Sequence, residues 1–253
     1  MPKLYYKDIN QESKNIVLLI HGLGVNSESW RFQTKDLVKA GYRVIAVDLE
    51  GFGASNLASK SVSIIKSVLD IDNIINDHNF TNITIIGLSL GGVIALQYAI
   101  TFPEKVTKLI VINALAKLPK EKLSQKLYIF FRLLLAYLLP IQLQSKIVSS
   151  FSFPNHENLR QACFLQMKQS DVSAYRQYLK ILTKIDMISD LKKISAETLI
   201  LASKQDRVIS NKCSETLHKN IKNSHIKYID GSHTVIADNP DQTNQEIVNF
   251  LKL

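Results

Sequence analysis

Cysteine is scarce in this chain, with Cys163 and Cys213 the only two in 253 residues. Two thiols without metal-ligand spacing make neither a disulfide framework nor a metal site, so both are expected to be buried or incidental. No zinc-motif spacing, internal repeat or low-complexity tract is present. The expectation is a protein working without metal or organic cofactor.

Long apolar runs are missing as well. Met1 to Lys14 mixes polar and charged side chains from the start, unlike the apolar block of a secretory leader. The greasiest stretch, Tyr128 to Ile141, is broken by Arg132. It is also shorter than the roughly 20 residues that span a bilayer. A soluble, cytoplasmic protein is expected.

Negative charge is the third shortage: 22 acidic residues stand against 31 Lys and Arg, a net charge of +9. The excess is uneven. Ala114 to Asp190 holds eleven basic and five acidic side chains, two thirds of the net charge in under a third of the chain. An acidic carrier protein or a membrane surface would suit such a region. Nucleic acid is not among the expected partners.

What the chain does have is apolar content, 46% of its residues, enough for one substantial core. Buried-strand patterns recur at Ile16 to Ile20, Val44 to Val47, Ile83 to Ile86, Leu109 to Ile112, Leu199 to Ala202 and Ile226 to Ile229. Helical patterns separate most of them. Phe32 to Ala40 reads as a short amphipathic helix closed by Gly41, and Val62 to His78 as a longer one. This alternation predicts an α/β fold, a mostly parallel central sheet with helices on both faces. It fails between Ala114 and Asp190, where Leu, Tyr, Phe and Lys recur at helical periods. Residues 114–190 are therefore predicted to form a helical cap on a core made of residues 1–113 and 191–253, with helix boundaries near Pro119, Pro140 and Pro154.

The chemistry centres on Ile85-Ile86-Gly87-Leu88-Ser89-Leu90-Gly91-Gly92. A serine between two glycines, after a β-branched run and before an apolar helix, is the signature of a nucleophile elbow. The turn is so sharp that side chains two residues either side of the serine must be very small. A serine hydroxyl needs a histidine base, and the histidine needs a carboxylate to orient it. Asp206 follows the strand Leu199 to Ala202, and His233 follows the strand Ile226 to Ile229. Both stand at carboxyl ends of strands, the edge where ligands of such sheets bind. The order Ser, Asp, His is the one expected for this arrangement.

His78, His156, His218 and His225 read as surface or helix-end residues. Asp230, Asp238 and Asp186 compete with Asp206 for the acid. Asp230 stands too near His233 in sequence to face its ring easily, and Asp186 falls in or near the cap. Two backbone N–H donors should receive the developing oxyanion. Leu90, directly after the serine, supplies one. Leu23, in the glycine-rich turn His21-Gly22-Leu23-Gly24, is the expected second.

On these residues the chain resembles the α/β-hydrolase superfamily, in its branch of capped small serine esterases. The resemblance also takes in His21-Gly22 followed by Trp30, Asp48 through Gly51-Phe52-Gly53-Ala54-Ser55, and Asn239-Pro240 before a helix to Leu251. It is weak in the cap. Glu50 departs from the family's usual proline or arginine, at a position expected on a surface loop. Serine at position 89 sets the chain apart from dehalogenases and epoxide hydrolases of this fold, which use an aspartate nucleophile. The resemblance implies cleavage of a small-molecule ester of short or medium acyl chain. Hydrolysis of a thioester, lactone or carbon–carbon bond, a carrier-protein methyl esterase, and a non-catalytic binding protein are the alternatives.

Overall fold

A computed structural model describes residues 4–57, 61–118 and 123–253. Seven strands form one sheet: β1 (Tyr6–Ile9), β2 (Ile16–Ile20), β3 (Arg43–Val47), β4 (Ile83–Leu88), β5 (Val106–Ile112), β6 (Glu197–Ser203) and β7 (Ser224–Ile229). Their order is β1-β3-β2-β4-β5-β6-β7, and every pairing is parallel except that of β1 with β3. The chain leaves β2 toward β3 on one side and later returns to lay β4 on the other. The carboxyl ends of β2 and β4 are therefore neighbours at a point where the strand order reverses, with Ile20 opposite Gly87. A crevice opens at such a point.

The six strands legible in the sequence are present, each within a few residues of its expected bounds. β1 was not legible. It pairs through one edge only, all four of its residues are half-buried, and Lys7 and Asp8 break the apolar pattern. Its place is held instead by main-chain bonds to β3 and by Arg43, whose guanidinium forks onto the Asp8 carboxylate at 2.6 and 2.8 Å.

β2 is buried on both faces, and its alternation divides the core. Leu18 and Ile20 join a cluster with Ile45, Val47 and the apolar sides of α2 (Ile64–Asp77) and α3 (Leu90–Thr101). Val17 and Leu19 face a second cluster with Trp30, Leu37 of α1 (Arg31–Lys39) and Phe250 of α10 (Pro240–Leu251). Asn239 precedes α10, and Pro240 occupies its first turn, where a missing N–H costs nothing.

Between β5 and β6 the described residues form four α-helices, α4 (Leu123–Leu138), α5 (Ile141–Ser152), α6 (Glu157–Lys168) and α7 (Val172–Leu182). Pro140 caps the start of α5, and Pro154 stands in the α5–α6 connection. Pro119 lies outside the described residues. An isolated antiparallel bridge, Lys117 with Asp186, closes the base of the insertion, and their side chains form an ion pair at 2.6 Å. From α7, Arg176 donates to the Ala136 and Tyr137 carbonyls and so caps the end of α4. Two further α-helices, α8 (Asn211–Asn220) and α9 (Val235–Asp238), follow β6 and β7. Among the described residues, no helix is long and apolar enough to cross a membrane.

Glu50 corrects the expectation of a surface loop. It is buried, and it shares the Lys66 ammonium with Asp70. Two carboxylates beside one ammonium raise the Lys66 pKa against the opposing pull of desolvation. An acid at position 50 thus has a local partner on α2, a reason that neighbours in sequence do not disclose.

Candidate active site

Ser89 caps α3 with φ 54° and ψ −114°, a left-handed conformation that an L-residue adopts only under constraint. The constraint is visible in its flanking glycines. A Cβ on Gly87 would stand 2.3 Å from the Gly91 carbonyl oxygen, and one on Gly91 would stand 2.0 Å from that of Ile20. Strand, turn and helix fit only because both positions lack side chains. The turn lifts Ser89 to the carboxyl edge of the sheet, where its N–H is held by the Ile112 carbonyl at 2.9 Å.

His233 and Asp206 converge on this serine. The Ser89 hydroxyl donates to His233 Nε2 over 3.0 Å, and His233 Nδ1–H donates to Asp206 Oδ2 over 2.8 Å. The other Asp206 oxygen accepts the Val208 and Ile209 N–H groups at 2.7 and 2.9 Å, and its carboxylate is 1% exposed. A carboxylate so saturated is fixed in rotamer and fixes the imidazole tautomer in turn. Of the rival acids, Asp230 pairs with Lys204 at the surface, Asp186 pairs with Lys117, and Asp238 accepts from the Ser232 N–H.

Three loops converge here, and their main chains are tied together. Lys204 N–H donates to the Ile229 carbonyl, and Gln205 N–H to that of Gly231. Asn113, just past β5, joins the segments that follow β6 and β7. Its amide nitrogen donates to Ser203 Oγ at 2.7 Å and to the His233 carbonyl at 2.9 Å, while its oxygen accepts the Ser203 N–H at 2.8 Å. It is buried, with φ 47°. Sequence reasoning passed over Asn113. The available signal was a polar residue, able to adopt a left-handed conformation, at the end of an apolar strand.

The candidate oxyanion donors lie beside the serine. Among the described residues, neither the Leu90 nor the Leu23 main-chain N–H has a hydrogen-bond partner. Leu90 is buried at the first position of α3, where the N–H points out of the helix. Leu23 is aimed by its neighbour. His21 Nε2 accepts the Leu49 N–H at 2.9 Å, which leaves the ring proton on Nδ1 to bond the Gly22 carbonyl at 2.8 Å. In a trans peptide the N–H opposes the C=O, so the Leu23 N–H points away from His21. Burial holds the His21 pKa below its usual value and keeps the ring neutral. This positioning role of His21 was not legible; the sequence pointed to the Leu23 amide and to His21-Gly22 as a pattern, without a role for the imidazole.

Behind the serine lies a cavity of about 610 Å³. Its wall is mainly apolar, with Leu88, Leu115, Met167 and Leu179 among its residues, and Ser89, His233 and Asp206 line it too. Both cysteines sit in this wall, their thiol pKa values pushed by burial to about 11. That burial makes them apolar wall groups. Two guanidinium-bearing residues also line it: Arg207 is exposed, whereas Arg132 donates to the Tyr175 hydroxyl at 2.7 Å.

A mostly parallel sheet with a serine at its strand-to-helix elbow and a helical insertion over its edge is an α/β-hydrolase. The family model described as serine aminopeptidase, S33, matches residues 11–239, and the chain belongs to that family. Among curated relatives, it is 26% identical over 279 residues to epoxide hydrolase 4 of Homo sapiens, with 99% of this chain and 76% of that one covered. It is 27% identical over 276 residues to a 2-hydroxy-6-oxononadienedioate/2-hydroxy-6-oxononatrienedioate hydrolase of Escherichia coli, covering 98% of this chain and 91% of the relative. The solved structure of an esterase from Exiguobacterium antarcticum superposes with a TM-score of 0.89 at 24% identity, over 99% of this chain and 96% of the other. That likeness is one of fold. The chain is a hydrolase by family, and its bond and substrate are a separate question.

Proposed function

We propose that the protein is a serine hydrolase cleaving carboxylic esters of short or medium acyl chains. One observation carries the reading: the Ser89–His233–Asp206 chain of hydrogen bonds opens on an apolar cavity large enough for an acyl group. In this scheme Ser89 Oγ attacks the ester carbonyl while His233 Nε2 takes its proton, and the Leu23 and Leu90 N–H groups receive the oxyanion, each worth on the order of 3 kcal/mol. His233 returns the proton to the departing alcohol. Water, deprotonated by the same imidazole, then releases the acid and restores Ser89. Asp206 orients the ring and stabilises its cation throughout. Hydrolysis is redox-neutral, and these groups carry every proton, so the scheme needs only water.

Serine also argues against an epoxide as substrate. Opening an epoxide with Ser89 would leave an ether, which the water step cannot cleave, whereas an acyl-enzyme ester is readily hydrolysed. A second reading has support in Arg132 and Arg207 on the cavity wall. Guanidinium groups there suit an anionic substrate, and the Escherichia coli relative is named for a dioate. Hydrolysis of a carbon–carbon bond in an anionic keto acid is that alternative. A cytoplasmic setting remains part of the proposal, to be checked by cell fractionation.

The test is turnover of a p-nitrophenyl ester series of rising acyl length, compared with Ser89→Ala and with an anionic dienol keto acid. Ester turnover abolished by Ser89→Ala supports the main reading. Keto-acid cleavage with a specificity constant orders of magnitude above any ester moves the assignment to the second.

A further inference from the structure

The insertion turns an apolar surface outward where the outer side of such helices is ordinarily polar. On α4, Leu127, Phe131, Leu134 and Leu138 recur at steps of four, three and four and so share a face. All four are exposed, Leu138 by 69%. On α5, Leu143, Ile147 and Phe151 recur every four residues and are exposed as well, Phe151 by 53%. Both stripes run out from the Leu139-Pro140 turn. Gln144 braces that turn, donating to the Ala136 and Leu139 carbonyls. Single exposed apolar residues are ordinary on any protein, but stripes on two consecutive helices mark a contact surface.

Charge narrows what that surface meets. Leu123 to Ser152 contains no Asp or Glu, and its Arg132 turns inward to the Tyr175 hydroxyl. Lys146 is exposed beside Ile147. The matching partner offers hydrocarbon and negative charge together. A second copy of this chain would set basic face against basic face. An acidic carrier protein would supply the charge but would need its own apolar stripe.

We propose that the α4–α5 face docks on an anionic phospholipid bilayer, its apolar stripes at the acyl boundary and Lys146 among the headgroups. Docked this way, the face lies in the plane of the interface without crossing it. Phe151 belongs also to the cavity wall, as do Val148 and Ser152 of the same helix. The docked surface is therefore continuous with the space behind Ser89, and an acyl chain can pass from bilayer to cavity without a journey through water. That last step rests on the esterase reading; docking itself does not.

The experiment is vesicle flotation with the Ser89→Ala protein, using phosphatidylcholine vesicles with and without phosphatidylglycerol. Expected are binding to the anionic vesicles, weakening as salt rises, and partition lower by about tenfold or more in a Leu138→Ser/Leu143→Ser/Ile147→Ser variant, which removes three apolar contacts. Lys146→Glu, a single exposed change, should weaken the anionic binding too and guards against misfolding of the triple variant. Four results overturn the proposal: no flotation with anionic vesicles; flotation untouched by both variants; a dimer in sedimentation velocity, dissolved by the triple variant, in place of vesicle binding; or binding to an acidic acyl carrier protein in place of vesicles. Since the Ser89→Ala protein is used, failure of ester turnover leaves the flotation result intact.

Discussion

At φ 54° and ψ −114°, Ser89 is held where only glycine rests easily, and the surrounding strand, helix and flanking glycines leave it no other place. Such strain costs on the order of 1–3 kcal/mol and is tolerated where it positions a reacting group. Ser89→Gly should therefore raise the unfolding free energy by about 1 kcal/mol while abolishing turnover. Ser89→Ala should abolish turnover without that gain. Urea denaturation of the three proteins checks this, and a destabilised glycine variant would refute the strain. The residues that the sequence singled out, Ser89, Asp206 and His233, do come within hydrogen-bonding distance of one another. They were legible because each stands in a strand-to-loop transition whose residue pattern is local. Asn113 and His21 were not, because their importance lies in partners 90 or more residues away for Asn113 and, for His21, in a Leu49 amide 28 residues on.

The secondary elements meet at loops, and the site is an arrangement of their ends. β4 delivers the serine, β6 the aspartate and β7 the histidine, and Asn113 at the end of β5 ties the last two together. Asn113→Ala leaves the buried Ser203 N–H unsatisfied, at a cost of about 1–3 kcal/mol. It also frees the His233 main chain. The expected kinetic signature is a fall in kcat of roughly tenfold to a hundredfold with KM little changed, since misplacing a proton acceptor affects the chemical step. Steady-state kinetics read the split, and a fall in stability with unchanged kcat would reduce Asn113 to a purely structural role. Among the elements, buried strands were legible from apolar runs and most helices from their period. β1 escaped because an edge strand covered on one side need not be apolar.

For the molecule as a whole, the sheet is sealed between two apolar clusters, and His21 sits inside that seal, fully buried and neutral. Its folded pKa lies below the ordinary value of 6.5. As pH falls through that ordinary value, the unfolded chain takes a proton that the folded chain refuses, so stability falls. The loss accumulates from about pH 7 down to the depressed folded pKa and then levels off. Urea unfolding at pH 7.5 and pH 5 should show this decline, and His21→Gln should reduce it. A decline unchanged by His21→Gln would assign the pH dependence to other groups.

Sequence alone determined the α/β class, six of the seven strands, the serine elbow, and the two strand ends bearing an aspartate and a histidine, because these follow from local periodicity and the steric demands of a tight turn. Tertiary structure decided the rest. It set β1 on the sheet edge, buried Glu50 against Lys66, aimed the Leu23 amide through His21, and gave the α4–α5 pair an apolar outer face. Each of these depends on which distant segment stands opposite, and residue spacing along a chain carries no record of that.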